Sequence, residues 1–228
     1  MKIEKKKILD FFEKVRMSHL TECVLSFKDD GLHIKAMTNS NAAGVDAVLK
    51  KTAFDEYSAV GNAGVDDYKN LIKVIRSMDS TLEFNIEGNL LIAKGNRKEL
   101  KYELTDEKFL KVPEKLPSVT PETSFNITAK RFNLFIKDAE INKDCEITVE
   151  TVDGGVKLSN TGKYKFTYNI DSKDTKSGSS ARFGEPLVSV VKDIGDGKLV
   201  CDIATDNPLV MHLNTDDYDI KYLVAPRG

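Results

Sequence analysis

Adjacent carboxylates occur at Asp29-Asp30, Asp66-Asp67 and Asp216-Asp217. Paired acids can hold a divalent cation or divide acid and base roles between them. In turns and at helix starts, however, aspartates serve hairpin geometry and capping, and that is the role expected here. His19, His33 and His212 have no Cys or His neighbour at metal-ligand spacing. His33 alternates with Leu32 and Ile34 and reads as a surface or hydrogen-bonded residue. Cys23, Cys145 and Cys201 are odd in number, scattered and without CxxC spacing. They read as buried free thiols in a reducing compartment, not as a disulfide framework or a zinc site. There is no GxxxxGK loop and no HExxH, and Gly61-Asn62-Ala63-Gly64 reads as a loop before a helix. No catalytic residue, metal or cofactor is therefore expected.

The cations are patterned. Lys69, Lys73 and Arg76 fall at i, i+4 and i+7; Lys7 and Lys14 are seven apart, as are Lys130 and Lys137; Lys192 stands alone. Residues at these spacings share a side of a helix. Any one of them is an ordinary solvated lysine, but they recur beside four separate apolar stripes. Lys and Arg total 34 against 36 Asp and Glu, a formal charge of −2. That balance excludes nucleic-acid binding by bulk positive charge but not by charge gathered on one surface. Glu185 and Asp193 also lie on the fourth of these segments.

The elements that must carry these residues follow from periodicity. Helical spacing is expected near Lys5–Met17 (Ile8, Phe11, Phe12, Val15) and near Asp66–Met78 (Tyr68, Leu71, Ile72, Ile75). A third helix is expected after a Thr128 cap (Phe132, Phe135, Ile136, Ala139), and a fourth from Pro186 (Leu187, Val190, Val191, Ile194) to a stop at Gly195. Alternation predicts hairpins at Val24–Lys35 and Leu82–Lys94, and polar strands near sheet edges at Arg97–Leu104 and Lys163–Ile170. The order helix, strands, helix, strands occurs twice, the first and third helices being about 124 residues apart, so the chain reads as a duplicated α+β unit. The expected divisions are 1–105, a connector at 106–122, and 123–228. Pro113, Pro117 and Pro121 make Thr105–Thr123 extended and non-helical. Asp171–Ser180 reads as a flexible surface loop. No apolar run approaches the ~20 residues of a membrane span. MKIEKKKILD opens like a secretory segment, but Asp10, Glu13 and Lys14 interrupt the apolar stretch after it, so no signal peptide is expected.

Four stretches, in order along the whole chain, resemble the eukaryotic and archaeal sliding clamp, proliferating cell nuclear antigen. They are Gly31–Tyr57 (GLHIKAMTNSNAAGVDAVLKKTAFDEY), Lys69–Met78 (KNLIKVIRSM), Leu110–Glu114 (LKVPE), and Pro208-Leu209-Val210 with Lys221–Pro226 (KYLVAP). The resemblance implies the α+β DNA clamp fold: two duplicated domains, each with two channel-lining helices backed by antiparallel sheet, in a trimer closed head to tail. It implies that Arg97–Leu104 and Lys163–Ile170 pair between neighbouring subunits. It places Lys73, Arg76, Lys137 and Lys192 at channel positions, with Lys7, Lys14, Lys69 and Lys130 on the same helix sides, facing the DNA.

The resemblance also implies a groove for partner peptides at Met37, Ala42, Leu110, Val112, Pro208, Tyr222, Leu223, Ala225 and Pro226. Tyr222 is one aromatic where relatives often have two, and no acidic tail follows Ala225-Pro226, so partner preference is expected to differ. The function implied is a non-enzymatic processivity factor that encircles double-stranded DNA without reading its sequence. It would tether DNA polymerase and other clamp-interacting replication and repair proteins, and be opened by an ATP-dependent loader. Its compartment would be the nucleus, or the cytoplasm in a cell without one. The alternatives are one subunit of a heterotrimeric clamp, a metal-dependent enzyme on an α+β scaffold using an Asp pair, and a monomeric binding module that has lost ring closure.

Overall fold

A computed structural model describes residues 1–17, 20–173 and 175–227; His19 lies outside the described residues. The first half of the chain runs β1 (Lys2–Glu4), α1 (Lys5–Val15), β2 (Cys23–Lys28), β3 (Gly31–Met37), β4 (Ala43–Lys50), β5 (Gly61–Val65), α2 (Tyr68–Arg76), β6 (Thr81–Glu87), β7 (Leu90–Lys94) and β8 (Glu99–Glu103). The second half repeats that order: β9 (Thr123–Thr128), α3 (Ala129–Ala139), β10 (Ile147–Val152), β11 (Gly155–Asn160), β12 (Thr167–Asp171), β13 (Ser180–Phe183), α4 (Glu185–Ile194), β14 (Lys198–Ile203), β15 (Leu209–Asn214) and β16 (Tyr218–Val224). No helix among the described residues is long and apolar enough to cross a membrane.

Two compact units result. The first is Met1–Asn39, Val45–Lys115 and Thr215–Ile220; the second is Ser40–Gly44, Leu116–Asn214 and Lys221–Gly228. In the first unit, strands order as β1-β6-β7-β8 and as β5-β2-β3-β4, with the opening residues of β16 next to β4. There the Lys50 amide donates to the Asp217 carbonyl at 2.8 Å. In the second unit the orders are β9-β14-β15-β16 and β13-β10-β11-β12, and the Ala225 amide donates to the Ala42 carbonyl at 2.9 Å. Each order in one unit maps onto its counterpart in the other, so the duplication read from the sequence is a duplication of topology.

The helices form where the periodicity placed them. Ile8, Phe11, Phe12 and Val15 on α1 and Tyr68, Leu71, Ile72 and Ile75 on α2 are buried in the first unit. Burying a side chain of this size is worth ~1.5–3 kcal/mol, so the stripe fixes each helix more firmly than intrinsic propensity does. The Tyr68 ring meets Phe12 edge-on at 5.7 Å, and its hydroxyl donates to the Phe12 carbonyl at 3.1 Å. In the second unit, Phe132, Phe135, Ile136 and Ala139 on α3 and Leu187, Val190, Val191 and Ile194 on α4 are buried. Helix ends are closed in parallel ways. Lys5 Nζ donates to the Met78 carbonyl just beyond α2 at 2.6 Å, and Asn133 Nδ2 donates to the Gly195 carbonyl at the end of α4 at 3.3 Å.

Several expectations need correction. Gly61–Val65 is a strand, not a loop, because β5 pairs with β2 along its length. The connector is not extended throughout: Glu107–Phe109 forms a 3-10 turn whose first amides are met by Asp106. This turn precedes Pro113, so no proline opposes it. The strand expected from Lys163 begins only at Thr167. Before it, Asn142 Nδ2 and Asn160 Nδ2 both donate to the Tyr164 carbonyl, at 2.6 and 3.0 Å, and hold the chain in a bend. The described residues of 171–180 are not a loosely attached surface loop either, since Ser172, Thr175 and Ser179 are buried. Cys23 and Cys201 are buried as expected, but Cys145 is only half-buried.

Candidate functional site

The cations on the helices differ in what surrounds them. On α1, Lys7 Nζ lies 3.3 Å from the Asp217 carboxylate. Lys14 is enclosed, at 4 % exposure, with its ammonium 3.5 Å from Asp10. On α2, Asp67 caps the helix by accepting from the Asn70 amide at 3.0 Å, and Lys73 donates to the Asn70 side chain at 3.1 Å. Arg76 Nη2 lies 2.6 Å from Glu13 on α1, while Lys69 is exposed. On α4, Lys192 pairs with Glu140 at 2.5 Å. On α3, capped by Thr128 accepting from the Arg131 amide at 3.3 Å, Lys130 and Lys137 are exposed and have no ion-pair partner among the described residues. Leu134, between them on the same side of the helix, is 49 % exposed. It lies off the buried stripe, and its spacing from both lysines was legible in the sequence.

The paired aspartates perform local work. Asp30 accepts from the His33 ring at 2.7 Å, and that bond holds its carboxyl below the usual range. Asp66 accepts from the Tyr102 hydroxyl at 2.6 Å and is lowered chiefly by it. The Tyr102 phenol is pushed up to about 12, first by burial and then by this bond. Asp67 is the α2 cap, and Asp217 meets Lys7. Among the described residues, no group of three or more His, Cys, Asp or Glu could hold a metal ion.

The residues expected to receive partner peptides are divided between the two units. Met37, Leu110 and Val112 belong to the first; Ala42, Pro208, Tyr222, Leu223, Ala225 and Pro226 belong to the second. Tyr222 and Leu223 are enclosed, at 0 % and 2 % exposure, and the other seven are half-buried. The opening of the connector is pinned within the first unit. The Thr105 amide donates to the Gly64 carbonyl at 3.0 Å, Asn62 to Glu107 at 3.2 Å, and the Lys111 amide to Glu22 at 2.9 Å. A Cβ on Gly64 would collide with the Thr105 carbonyl oxygen, so only glycine admits this approach. Phe109, absent from the sequence-derived set, is 71 % exposed at the end of the 3-10 turn, with the Lys108 ammonium 5.0 Å above its ring. A large aromatic inside a charged connector is the signal that marks it.

The free sheet edges are equally informative. β8 and β12 each end a four-stranded order. Tyr102 on β8 is tied to Asp66 and Tyr168 on β12 to Asp138, the latter at 2.7 Å. Beside β12, Ile141 and Tyr164 are 58 % and 50 % exposed.

No protein-family profile and no curated protein matches the sequence. Solved structures do match. A. fulgidus PCNA, determined with the C-terminal region of FEN-1 bound, superposes with a TM-score of 0.88 at 20 % identity, covering 100 % of this chain and 97 % of that one. Entamoeba histolytica PCNA gives 0.85 at 17 % identity, with 100 % and 98 % covered. The PCNA2–PCNA3 complex from Sulfolobus tokodaii gives 0.80 at 17 % identity, with 99 % and 98 % covered. The chain has the PCNA-type clamp fold over its full length.

Proposed function

We propose that this chain is a subunit of a DNA sliding clamp, a ring without catalytic residues that encircles duplex DNA and tethers a polymerase and other partners. The observation that carries the reading is the state of four strands. β4 and β16 are neighbours in one sheet, while their counterparts in the repeat, β12 and β8, are both edges. Joining β12 of one copy to β8 of the next reproduces the β4–β16 arrangement between copies. Such a head-to-tail contact closes a ring when its rotation permits. It also explains how two polar edge strands coexist with exposed Ile141 and Tyr164 without uncontrolled pairing.

The mechanism is topological. Helix cations attract phosphates without base contacts, so the ring holds DNA but fixes no register. Escape requires opening an interface, which a loader driven by ATP would perform. A polymerase bound to the ring gains effective concentration at the primer end. Leu110, Val112, Pro208, Ala225 and Pro226, together with the exposed Phe109 of the connector, are the residues we assign to partner-peptide docking. The A. fulgidus structure, with a FEN-1 segment bound to the same fold, supports partner binding as such.

The test is native mass by light scattering over a concentration series, followed by polymerase extension on primed circular DNA. A homotrimer gives three times 25.4 kDa, about 76 kDa, and stimulation that is lost on linear templates with free ends. A mass of 25.4 kDa at every concentration would refute the homotrimer. It would favour the second reading, a heteromeric clamp subunit, for which the Sulfolobus tokodaii complex of two different clamp chains is the precedent.

A further inference from the structure

We infer that the partner of this chain's free edges is a second copy of the same chain, selected by charges on β8 and around β12 that complement each other. The inference rests on the clamp reading and decides between its two forms. In a ring of different chains each edge has to match a foreign edge, not the other edge of its own chain. The repeat supplies the register. β4 and β16 are joined near both ends, the Lys50 amide donating to the Asp217 carbonyl at 2.8 Å and the Ala225 amide to the Ala42 carbonyl at 2.9 Å. A Cβ on Gly31 would meet the Leu49 carbonyl, and one on Gly155 the Ile170 carbonyl. Lys50 therefore corresponds to Asp171, and Ala42 to Lys163. Gly64 faces Val24 on β2 and Arg182 faces Thr148 on β10; Val24 and Thr148 each stand four residues before the end of their strand. The Thr105 amide donates to the Gly64 carbonyl as the Arg227 amide donates to the Arg182 carbonyl. Ala225 therefore corresponds to Glu103, and Asp217 to Gly95.

Carried to two copies, the same bonds set Lys163 of one opposite Glu103 of the next, and Asp171 opposite Gly95, beside Arg97. Lys163, Glu103, Asp171 and Arg97 are exposed, and their side chains have no ion-pair partner among the described residues. Lys163 lies over the Tyr164 ring, 5.6 Å from its centre. The charges between these positions are satisfied within the chain. Glu99 holds Lys101 at 3.1 Å and Lys94 at 3.5 Å, and in this register it faces the uncharged Thr167. Lys98 donates to the Ser77 carbonyl at 2.8 Å. Lys165 falls opposite Lys101, whose charge Glu99 already meets, with the unpaired Glu103 diagonal to it. The basic lead into β12 thus meets the acidic end of β8, and the acidic end of β12 meets the basic start of β8. Opposite charges across a strand pair stabilise it, and like charges directly opposite destabilise it. The charges left over on one edge are the counterparts of those left over on the other.

Native mass by light scattering, over a protein-concentration series at low and raised salt, tests the inference on the full chain. Arg97→Asp/Glu103→Lys reverses one edge, and Lys163→Glu/Asp171→Lys reverses the other. Each pair is expected to raise the concentration at which half the chain reaches three times 25.4 kDa, by roughly tenfold or more. The urea midpoint should stay unchanged, because all four side chains are exposed. All four substitutions in one chain restore the match and should restore assembly, and a tagged copy of that variant should fail to capture the unaltered chain. Raised salt should weaken assembly of the unaltered chain, since it screens exposed charges. A trimer mass that neither pair disturbs, or a fourfold variant that stays monomeric, overturns the inference and leaves the clamp reading standing. An unaltered chain at 25.4 kDa at every concentration overturns it in favour of the heteromeric form. A charge-dependent trimer that gives no polymerase stimulation on circular DNA supports the inference and overturns the clamp reading instead.

Discussion

Gly64 shows how much one missing side chain can position. Its lack of a Cβ lets Thr105 bond to β5, and from there the connector presents Phe109, Leu110 and Val112. Gly64→Ala is expected to cost ~1–3 kcal/mol in urea unfolding, the range for overpacking, and to weaken peptide docking. Two tyrosines make a separate residue-scale prediction. The Tyr57 and Tyr102 phenols are both pushed up to about 12, with burial the leading cause in each. Their folded values exceed the unfolded value of ~10, so their contribution to stability is present below that value and is lost as pH rises toward 12. Ultraviolet titration should show both phenolates forming well above the ordinary tyrosine value of ~10, and Tyr102→Phe should remove one such late step. Lone residues of this kind were the least legible in the sequence. Gly64 is an ordinary letter until the chain that it meets is known, and Phe109 stands out only as an aromatic among charged neighbours.

At the scale of elements, the helices were legible because a 3.6-residue apolar stripe and a cap act locally. Thr128→Ala should lower stability by about 1 kcal/mol, the usual cost of an N-cap, as a shift in urea midpoint at constant slope. The segment after β12 was illegible for the opposite reason. Its serines and threonines look like solvated loop, yet their partners lie far off in sequence. The Asn126 amide donates to Ser172 Oγ at 2.8 Å, the Ser177 amide to Asp153 at 3.1 Å, and the Ser179 amide to Thr151 Oγ1 at 3.0 Å. Glu122 closes the group by accepting from the Ser179 hydroxyl at 2.8 Å and from Thr205, and these bonds hold its carboxyl below the usual range. A lowered carboxyl stabilises above the unfolded value of ~4.3 and loses that contribution as pH falls through its folded value. Glu122→Gln should therefore reduce the acid-side fall in thermal midpoint, and trypsin should cut slowly after Lys176.

At the scale of the whole molecule, the duplication was legible because both copies kept the same order of elements, and four short resemblances in order sufficed to place the fold. The enclosure of Lys14 and the division of charge among α1–α4 were not legible, since helical spacing says which side a lysine takes but not which carboxylate awaits it. Ile141→Lys with Tyr164→Lys should shift native mass toward 25.4 kDa while the far-ultraviolet spectrum stays unchanged, as both side chains are exposed. The composition of the first unit has a further effect on the order of synthesis. Because that unit includes Thr215–Ile220, it lacks part of its sheet until residue 220 has left the ribosome. The edge of that sheet at β4 therefore stays open until residues 215–220 have been made. Nascent chains stalled near residue 120 should remain protease-sensitive along β4, whose neighbour β16 has not yet been made.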